Sequence, residues 1–348
     1  MNAHIVAENT EFWVRDGRIS SAPVDGAEEI RGGYAIAGLV DCHSHSTFDL
    51  SGRGVLAGTP EAVATNMRDY FAAGVTAVRD TGGVSMAAVE ARDPRLIAGG
   101  RFIAPPGRYF VNWNPVPATD EQLVEAAREQ AASGSPWVKI VDDWFSPETG
   151  RVEQHYEPAT IAAAVSAVHE AGARVAMHCM DTASVEAAIL GGIDSIEHGC
   201  NMTESQLERI ATAGIAWCPT ILLVGGFMSA QELPDAEYQA RARRFYDEDL
   251  FTLLPRAASL GVTILAGSDT IPPARFWQEV ATLHQYGLDG AAALDAATTA
   301  ARAYLGLPDI ADGSPADVVI YDSDPRNDPT TLARPSLVMV AGEIIATH

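Results

Sequence analysis

A chain of 348 residues is long enough for one large domain with a small accessory unit. Its composition, 47% hydrophobic and 20% charged, excludes a disordered or fibrous chain. With 23 basic against 46 acidic residues the formal net charge is −23, which repels nucleic acid and anionic membranes and leaves a small molecule as the expected partner.

The N-terminal stretch from Met1 to Val14 has no basic region and no apolar run. Glu8 and Glu11 fall where a signal sequence would need its apolar core, so neither a signal peptide nor a membrane span is expected. Cys42, Cys179, Cys200 and Cys218 form no paired framework and read as buried packing residues, which fits a reduced, cytoplasmic setting.

Residues 1–34 read as short strands. Phe12 to Ile19 forms a hairpin pattern with Asp16-Gly17 at its turn. Residues 313–348 read alike: Ala316 to Tyr321 is a strand, and Leu337 to Val340 turns through Ala341-Gly342-Glu343 into Ile344-Ile345. Neither end can fold alone, so the two are expected to pair as a small β-sandwich.

Between them, over residues 35–312, eight apolar runs alternate with Ala-rich helical stretches. The runs are Ile36–Val40, Val75–Arg79, Phe102–Ala104, Val138–Val141, Arg174–Met177, Ser195–Glu197, Ile215–Cys218 and Val262–Ala266. Helices are expected over Glu61–Ala73, Glu121–Ala132, Pro158–Ala171 and Thr203–Ala213, with Gly74, Gly172, Gly214 and Gly261 at helix ends before strands. Alternation implies a parallel sheet, and eight repeats imply a closed (β/α)8 TIM barrel of the α/β class.

The chemistry-bearing residues gather where strands end. Asp41-Cys42-His43-Ser44-His45 follows the first run, and a spacing of two puts His43 and His45 on one face, able to chelate a cation such as Zn2+. His178 ends the fifth run, His198 the sixth, and Asp269 follows the eighth. In a parallel barrel all these ends share one rim, and a bound metal accounts economically for so many buried polar groups. Lys139 sits between Val138 and Ile140 in the fourth run. It is the single lysine beside 22 arginines. An ammonium can lose its proton on burial and react, whereas a guanidinium cannot. An ion pair with Asp142 or Asp143 is the other reading.

Taken in order, His43-Ser44-His45, Lys139, His178, Asp194 to Gly199, Gly267-Ser268-Asp269 and the tail Ala316 to Ile320 resemble the amidohydrolase superfamily over nearly the whole chain. The closest likeness is to its prolidase-like and imidazolonepropionase-like branch, which Asp93 to Gly100 and Pro105-Pro106-Gly107 also resemble. That resemblance implies two divalent metals, by default Zn2+, bridged by a CO2-derived carbamate on Lys139. His43, His45 and Asp269 would hold one metal, and His178 and His198 the other. It further implies a hydrolase of C–N bonds such as a dipeptide, an N-acyl amino acid or an aryl amide. Hydroxide held between the metals attacks, and Asp269 moves the proton. A lactone, carbamate or phosphotriester is the alternative substrate on the same site, and a non-catalytic metal-binding scaffold the alternative of another class.

Two departures bear on substrate. Gly107-Arg108-Tyr109 stands where the branch often has Gly-Gly-His. Leu222, Leu223 and Val224 stand where relatives often place a tyrosine. Arg108 is read as a candidate partner for a substrate carboxylate, and Tyr109, Trp113 and Trp144 as candidate pocket walls; Phe110, Phe145, Phe276 and Trp277 are further aromatics expected near the mouth. An isologous dimer is the default oligomer.

Overall fold

The protein is described by a computed structural model covering residues 2–49, 56–83, 95–230 and 232–347; the Asp93-Pro94 start of one family-like segment lies outside them. Among the described residues no helix is long and apolar enough to cross a membrane.

The termini build two four-stranded sheets. One runs Arg18–Ser20, Glu11–Arg15, Ala3–Val6, Glu28–Arg31; the other runs Glu343–Thr347, Leu337–Val340, Val318–Tyr321, Tyr34–Ala37. Phe12 and Val14 are buried while Glu11 and Arg15 are exposed, the period-two pattern of a strand with one wet face. Asp16 and Gly17 take φ of 50° and 77°, the paired left-handed residues a two-residue hairpin needs. Ile5, Phe12 and Val14 of the first sheet share one apolar cluster with Ala35, Val318, Ile320 and Met339 of the second.

This sheet corrects the first expected strand. Ile36 belongs to Tyr34–Ala37, which pairs antiparallel with Val318–Tyr321; a separate strand, Leu39–Ser44, opens the parallel part. Gly38 is the pivot between them, because a Cβ there would lie 2.2 Å from the Thr76 side chain.

The parallel strands are β1 (Leu39–Ser44), β2 (Val75–Asp80), β3 (Ile103–Ala104), β4 (Trp137–Val141), β5 (Arg174–Cys179), β6 (Ser195–His198) and β7 (Ala216–Cys218). β1 and β2 form one sheet with the short strand Leu96–Ala98; β3 to β7 form another in consecutive order, with Val116–Pro117 at its edge. Nearly every residue of these strands is buried, as expected of parallel sheets covered by helices. The helices lie close to their expected positions: Pro60–Ala72, Leu123–Ala132, Pro158–Glu170 and Glu204–Ala213. The last is opened by a Thr203/Gln206 capping box and closed at Gly214. All four glycines expected at helix ends adopt φ between 71° and 79°.

The expected strand Val262–Ala266 does not form a ladder. Only isolated parallel bridges occur there, Ile264 with Trp217 and Asp269 with Ser44. The reason lies in the donors. Ala266 gives its N–H to Ala296 O and Val40 gives its own to Ala297 O, both at 2.8 Å, so a turn near 296 takes bonds a ladder would use. The segment still links the two parallel sheets. Leu265 N donates to Trp217 O at 2.9 Å, Cys42 N to Ala266 O at 2.8 Å, and Asp269 N to His43 O at 2.6 Å.

Candidate metal centre and substrate cavity

The C-terminal ends of β1, β4, β5 and β6 converge with the segment after Ala266. His43, His45, Lys139, His178, His198 and Asp269 are all buried there. His43 lies 5.8 Å from His45 and 4.9 Å from His198 between ring centroids, and His198 lies 4.6 Å from His178. His43 and His45 present ligand atoms within 4.8 Å of Asp269 and of one another.

Backbone strain is concentrated here. His198, Thr220, Asp269 and Tyr109 have φ of 66°, 46°, 58° and 58°, in the left-handed region where a non-glycine residue costs on the order of 1–3 kcal/mol. Surrounding bonds hold these positions. Trp217 Nε1 donates to His198 O at 2.9 Å. Asp41, fully buried, accepts from His43 N at 3.1 Å, from Ser268 N at 3.0 Å and from the Ser268 hydroxyl, which ties the end of β1 to the Asp269 turn. Burial pushes its carboxyl up to about 7.

The imidazoles are anchored through one nitrogen and open at the other. His43 Nδ1 donates to Glu197 at 2.6 Å and His45 Nδ1 to Gly82 O at 2.7 Å, since a carboxylate and a carbonyl only accept. His198 Nδ1 lies 2.7 Å from Thr220 Oγ1. In His43 and His45 that leaves Nε2 as the atom able to carry a second proton or to bind a metal ion. Those of His45 and His43 face Asp269 oxygens at 3.2 and 3.8 Å. A ring nitrogen facing a carboxylate in a buried site is satisfied by a proton on the ring or by a cation between the two.

The electrostatics agree. Burial and then the Lys139 charge pull His43 down to about 4, and burial drives His178 and His198 well below the usual imidazole range. Burial would also lower His45, but the Asp269 carboxylate outweighs it and raises this one ring. Burial would raise Asp269; the hydrogen bond from His45 and the His43 charge hold it below the usual carboxylate range instead.

Of the six convergent residues, two are left without a hydrogen-bond partner: His178 at both ring nitrogens, and Lys139 at Nζ. Each orphan costs about 1–3 kcal/mol if nothing binds it. Asp143 does not answer Lys139, because it accepts from Met180 N and Asp181 N at 2.8–2.9 Å and lies 3.7 Å from His178 Nε2. Asp142 accepts from Tyr156 N at 3.0 Å. Burial lowers the Lys139 pKa, favouring the free amine.

His43, Glu197 and Cys218 also gather within 4.8 Å. That trio is a weaker metal candidate. Glu197 already accepts from His43, from Arg79 at 2.8 Å and from Ser195 Oγ at 2.6 Å, and burial keeps the Cys218 thiol protonated. All four cysteines are free and buried, as read from the sequence. The functional partners missed there are Glu197 and Asp41. Their signal was an acid inside an otherwise apolar strand next to a histidine motif, but the sequence does not say which group each acid holds.

A cavity of about 250 Å3 opens above His178, His198 and Asp269, walled by Tyr109, Phe110, Trp113, Trp144 and Phe227. Leu223 and Val224 also line it. Arg108 does not line it: its guanidinium lies 2.9 Å from Glu148 and 3.8 Å from Glu153, so the expected carboxylate partner is occupied by acids of this chain. Phe276 is also corrected, being a core residue at 1% exposure, and Phe145 packs on Tyr238. A roomier groove of about 470 Å3 lies beside Asn201 and Arg241 but contains none of the six convergent residues, and its Arg241 is paired with Asp181 at 2.9 Å.

A parallel α/β fold that gathers imidazoles and a carboxylate at its strand ends defines a class of site able to hold a metal ion. The Amidohydrolase family profile matches residues 34–345, and the chain belongs to that family. An uncharacterised protein of Mycobacterium tuberculosis is 33% identical over 343 residues, covering 95% of this chain and 91% of that protein. Among solved structures, a putative prolidase from Bifidobacterium longum superposes with a TM-score of 0.78 at 22% identity, covering 98% of this chain and 92% of that one. A Xaa-Pro dipeptidase gives 0.78 at 20% identity, with 99% and 98% covered. The ochratoxinase of A. niger gives 0.79 at 18%, with 99% and 96% covered.

Proposed function

We propose that the chain is a binuclear metal-dependent amidohydrolase that cleaves a C–N bond of a small molecule. The observation that carries this is the open set of donors: three Nε2 atoms with their Nδ1 anchored, an orphaned His178, an orphaned Lys139 and the Asp269 carboxylate, all under one cavity. The architecture that fits is a (β/α)8 barrel over residues 35–312, closed by the segment after Val262. The terminal residues 1–34 and 313–348 then supply a β-sandwich, to which Tyr34–Ala37 adds a strand.

His43, His45 and Asp269 would hold one cation and His178 and His198 the other. Lys139, carrying a carbamate, would bridge them; a buried, partner-free primary amine of lowered basicity suits that adduct. Bound divalent ions, with Zn2+ the default, would supply the charge that acidifies a water and polarises the scissile carbonyl. Glu197 fixes the ring of His43, and Thr220 that of His198, so the donors keep one orientation. Asp269, ionised and facing the cavity, takes the proton from the attacking water and returns it to the leaving nitrogen. The apolar walls exclude bulk water and hold the organic part of the substrate.

The test is a turnover screen of zinc-loaded, bicarbonate-supplemented protein against dipeptides, N-acyl amino acids and aryl amides, reading released amine. Turnover that disappears in Asp269→Asn is the expected result. No turnover with two metals per chain confirmed would refute C–N cleavage and leave lactones, carbamates or phosphotriesters.

A further inference from the structure

We propose that Glu279 is a positioning residue of the metal site: it pins the two backbone amides that follow Thr220, and so holds the Thr220 hydroxyl against the ring of His198. The proposal rests on the reading of His198 as a metal ligand for its consequence, and on the contacts for its geometry. Glu279 lies in the helix Phe276–Gln285 and is fully buried. One of its carboxyl oxygens accepts from Ile221 N at 2.9 Å and the other from Leu222 N at 2.8 Å. Those are the first two amides of the helix Ile221–Ala230, donors that have no partner within their own helix. Burying a carboxyl is costly, and the commoner solution is a cap from the residue at the helix start.

Other helices of this chain use that solution. Thr59, Thr203 and Asp235 are extended, with φ of −85°, −90° and −94°, and each side chain accepts from an amide of the helix it precedes. Thr220 stands in the same position before Ile221 and is a residue of the same capping type. Its φ, however, is 46°, and its hydroxyl lies 2.7 Å from His198 Nδ1. Val224 N donates to Thr220 O at 3.1 Å, so the helix does begin there. The hydroxyl is directed to the imidazole instead of the helix, and Glu279 supplies the cap in its place. A ring that is to hold a cation through Nε2 keeps its proton on Nδ1 and donates it to Thr220. A left-handed, β-branched residue persists only where its surroundings over-determine it. The bonds from Glu279 fall on the two amides directly after Thr220 and fix the backbone there. The helix that follows brings Leu223, Val224 and Phe227 to the cavity, so the pinned turn joins the metal ligands to the substrate space.

The test compares variants of the full chain. Glu279→Gln has one amide oxygen, so one amide of the turn faces an NH2 group. Thr220→Val removes the hydroxyl at nearly equal shape. Thr203→Ala removes a direct cap from a helix that carries none of the six convergent residues. The readouts are zinc affinity by competition with a chelator, the imidazole nitrogen resonances of His198 in metal-free protein, and the urea midpoint. Glu279→Gln should weaken zinc binding by about tenfold or more, as Thr220→Val does, and move the His198 resonances toward their Thr220→Val positions. The double variant should bind zinc no more weakly than Thr220→Val alone, since both changes act through one hydroxyl. Thr203→Ala should lower the urea midpoint and leave zinc affinity and the resonances unchanged. Glu279→Asp keeps both oxygens but stops a methylene short; it should show the same losses in smaller measure, and it stands in if Glu279→Gln does not fold. Unchanged His198 resonances in the Glu279 variants, zinc losses that add in the double variant, or an equal zinc loss in Thr203→Ala would each overturn the proposal and leave Glu279 a helix cap alone. If the parent binds no zinc, that result counts against the binuclear reading and the resonances decide this one. Movement toward the Thr220→Val positions upholds the link from Glu279 through Thr220 to His198, and no movement overturns it.

Discussion

Glu197 is the residue whose loss should be felt in two independent measurements. Its carboxylate is fully buried and accepts from His43 Nδ1, Arg79 and Ser195 Oγ at 2.6, 2.8 and 2.6 Å. Burial would raise its pKa, but the Arg79 charge, then His43, hold it below the usual carboxylate range. Glu197→Gln keeps the shape and removes the charge. Arg79 would then be a buried guanidinium without its counter-ion. Breaking one side of a buried pair costs about 3–5 kcal/mol. The lower end applies here, because Arg79 also donates to Cys42 O and sits 4.6 Å over the Trp137 ring. The one amide oxygen of glutamine cannot serve both Arg79 and His43 as the two carboxylate oxygens do, and with that oxygen turned to the Arg79 guanidinium His43 faces an amide donor and loses the acceptor that fixes its tautomer, which at metal sites lowers affinity by about 10–100-fold. Urea unfolding of the metal-free protein reads the first effect and zinc titration against a competing chelator reads the second. A variant within about 1 kcal/mol of the parent, with unchanged zinc affinity, would refute the account of β6 as both the charge anchor and the His43 clamp.

Asp269→Asn should keep much of its metal by elemental analysis yet lose kcat by about 10²–10⁴-fold, because it keeps a ligand oxygen and loses the base. Lys139→Met should bind far less metal. Stripped of metal it should be at least as stable as the parent in urea, since it replaces an unpartnered buried amine by an apolar chain of similar length; full metal occupancy would exclude a bridging role for Lys139. Stability should also depend on pH in an unusual direction. Burial raises Asp142 to about 7 and Glu279 to about 8, so the folded state keeps protons that the unfolded chain releases above about 4. Their contribution is complete below about 4 and is lost as pH rises through 7 to 8. Calorimetric unfolding near pH 6 in buffers of different ionisation enthalpy should show net proton release from these groups, and Asp142→Asn should reduce it. Proton uptake that the variant leaves unchanged would contradict the burial argument.

What could be read from the chain was local. The Asp16-Gly17 hairpin follows from two residues that tolerate left-handed backbone, and the helix over Glu204–Ala213 from a cap, an apolar stripe and a terminal glycine. Where bonds are decided by distant groups, reading failed. Val262–Ala266 has a strand's composition, but its pairing depends on whether Ala266 and Val40 donate to each other's neighbourhood or to the turn at Ala296 and Ala297. Nothing within the apolar run specifies that. The division at Gly38 depends likewise on how closely Thr76 approaches it.

The site divides along the same line. Spacing put His43 and His45 together, and the isolation of Lys139 among arginines marked it out. Both are properties of residue identity, and the structure brings all six residues into one buried place. Arg108 lies outside the cavity lining and is paired within the chain. A cation beside an aromatic loop reads as a carboxylate receptor, yet in a chain of net charge −23 the acids of the same surface compete for it, and Glu148 and Glu153 take it.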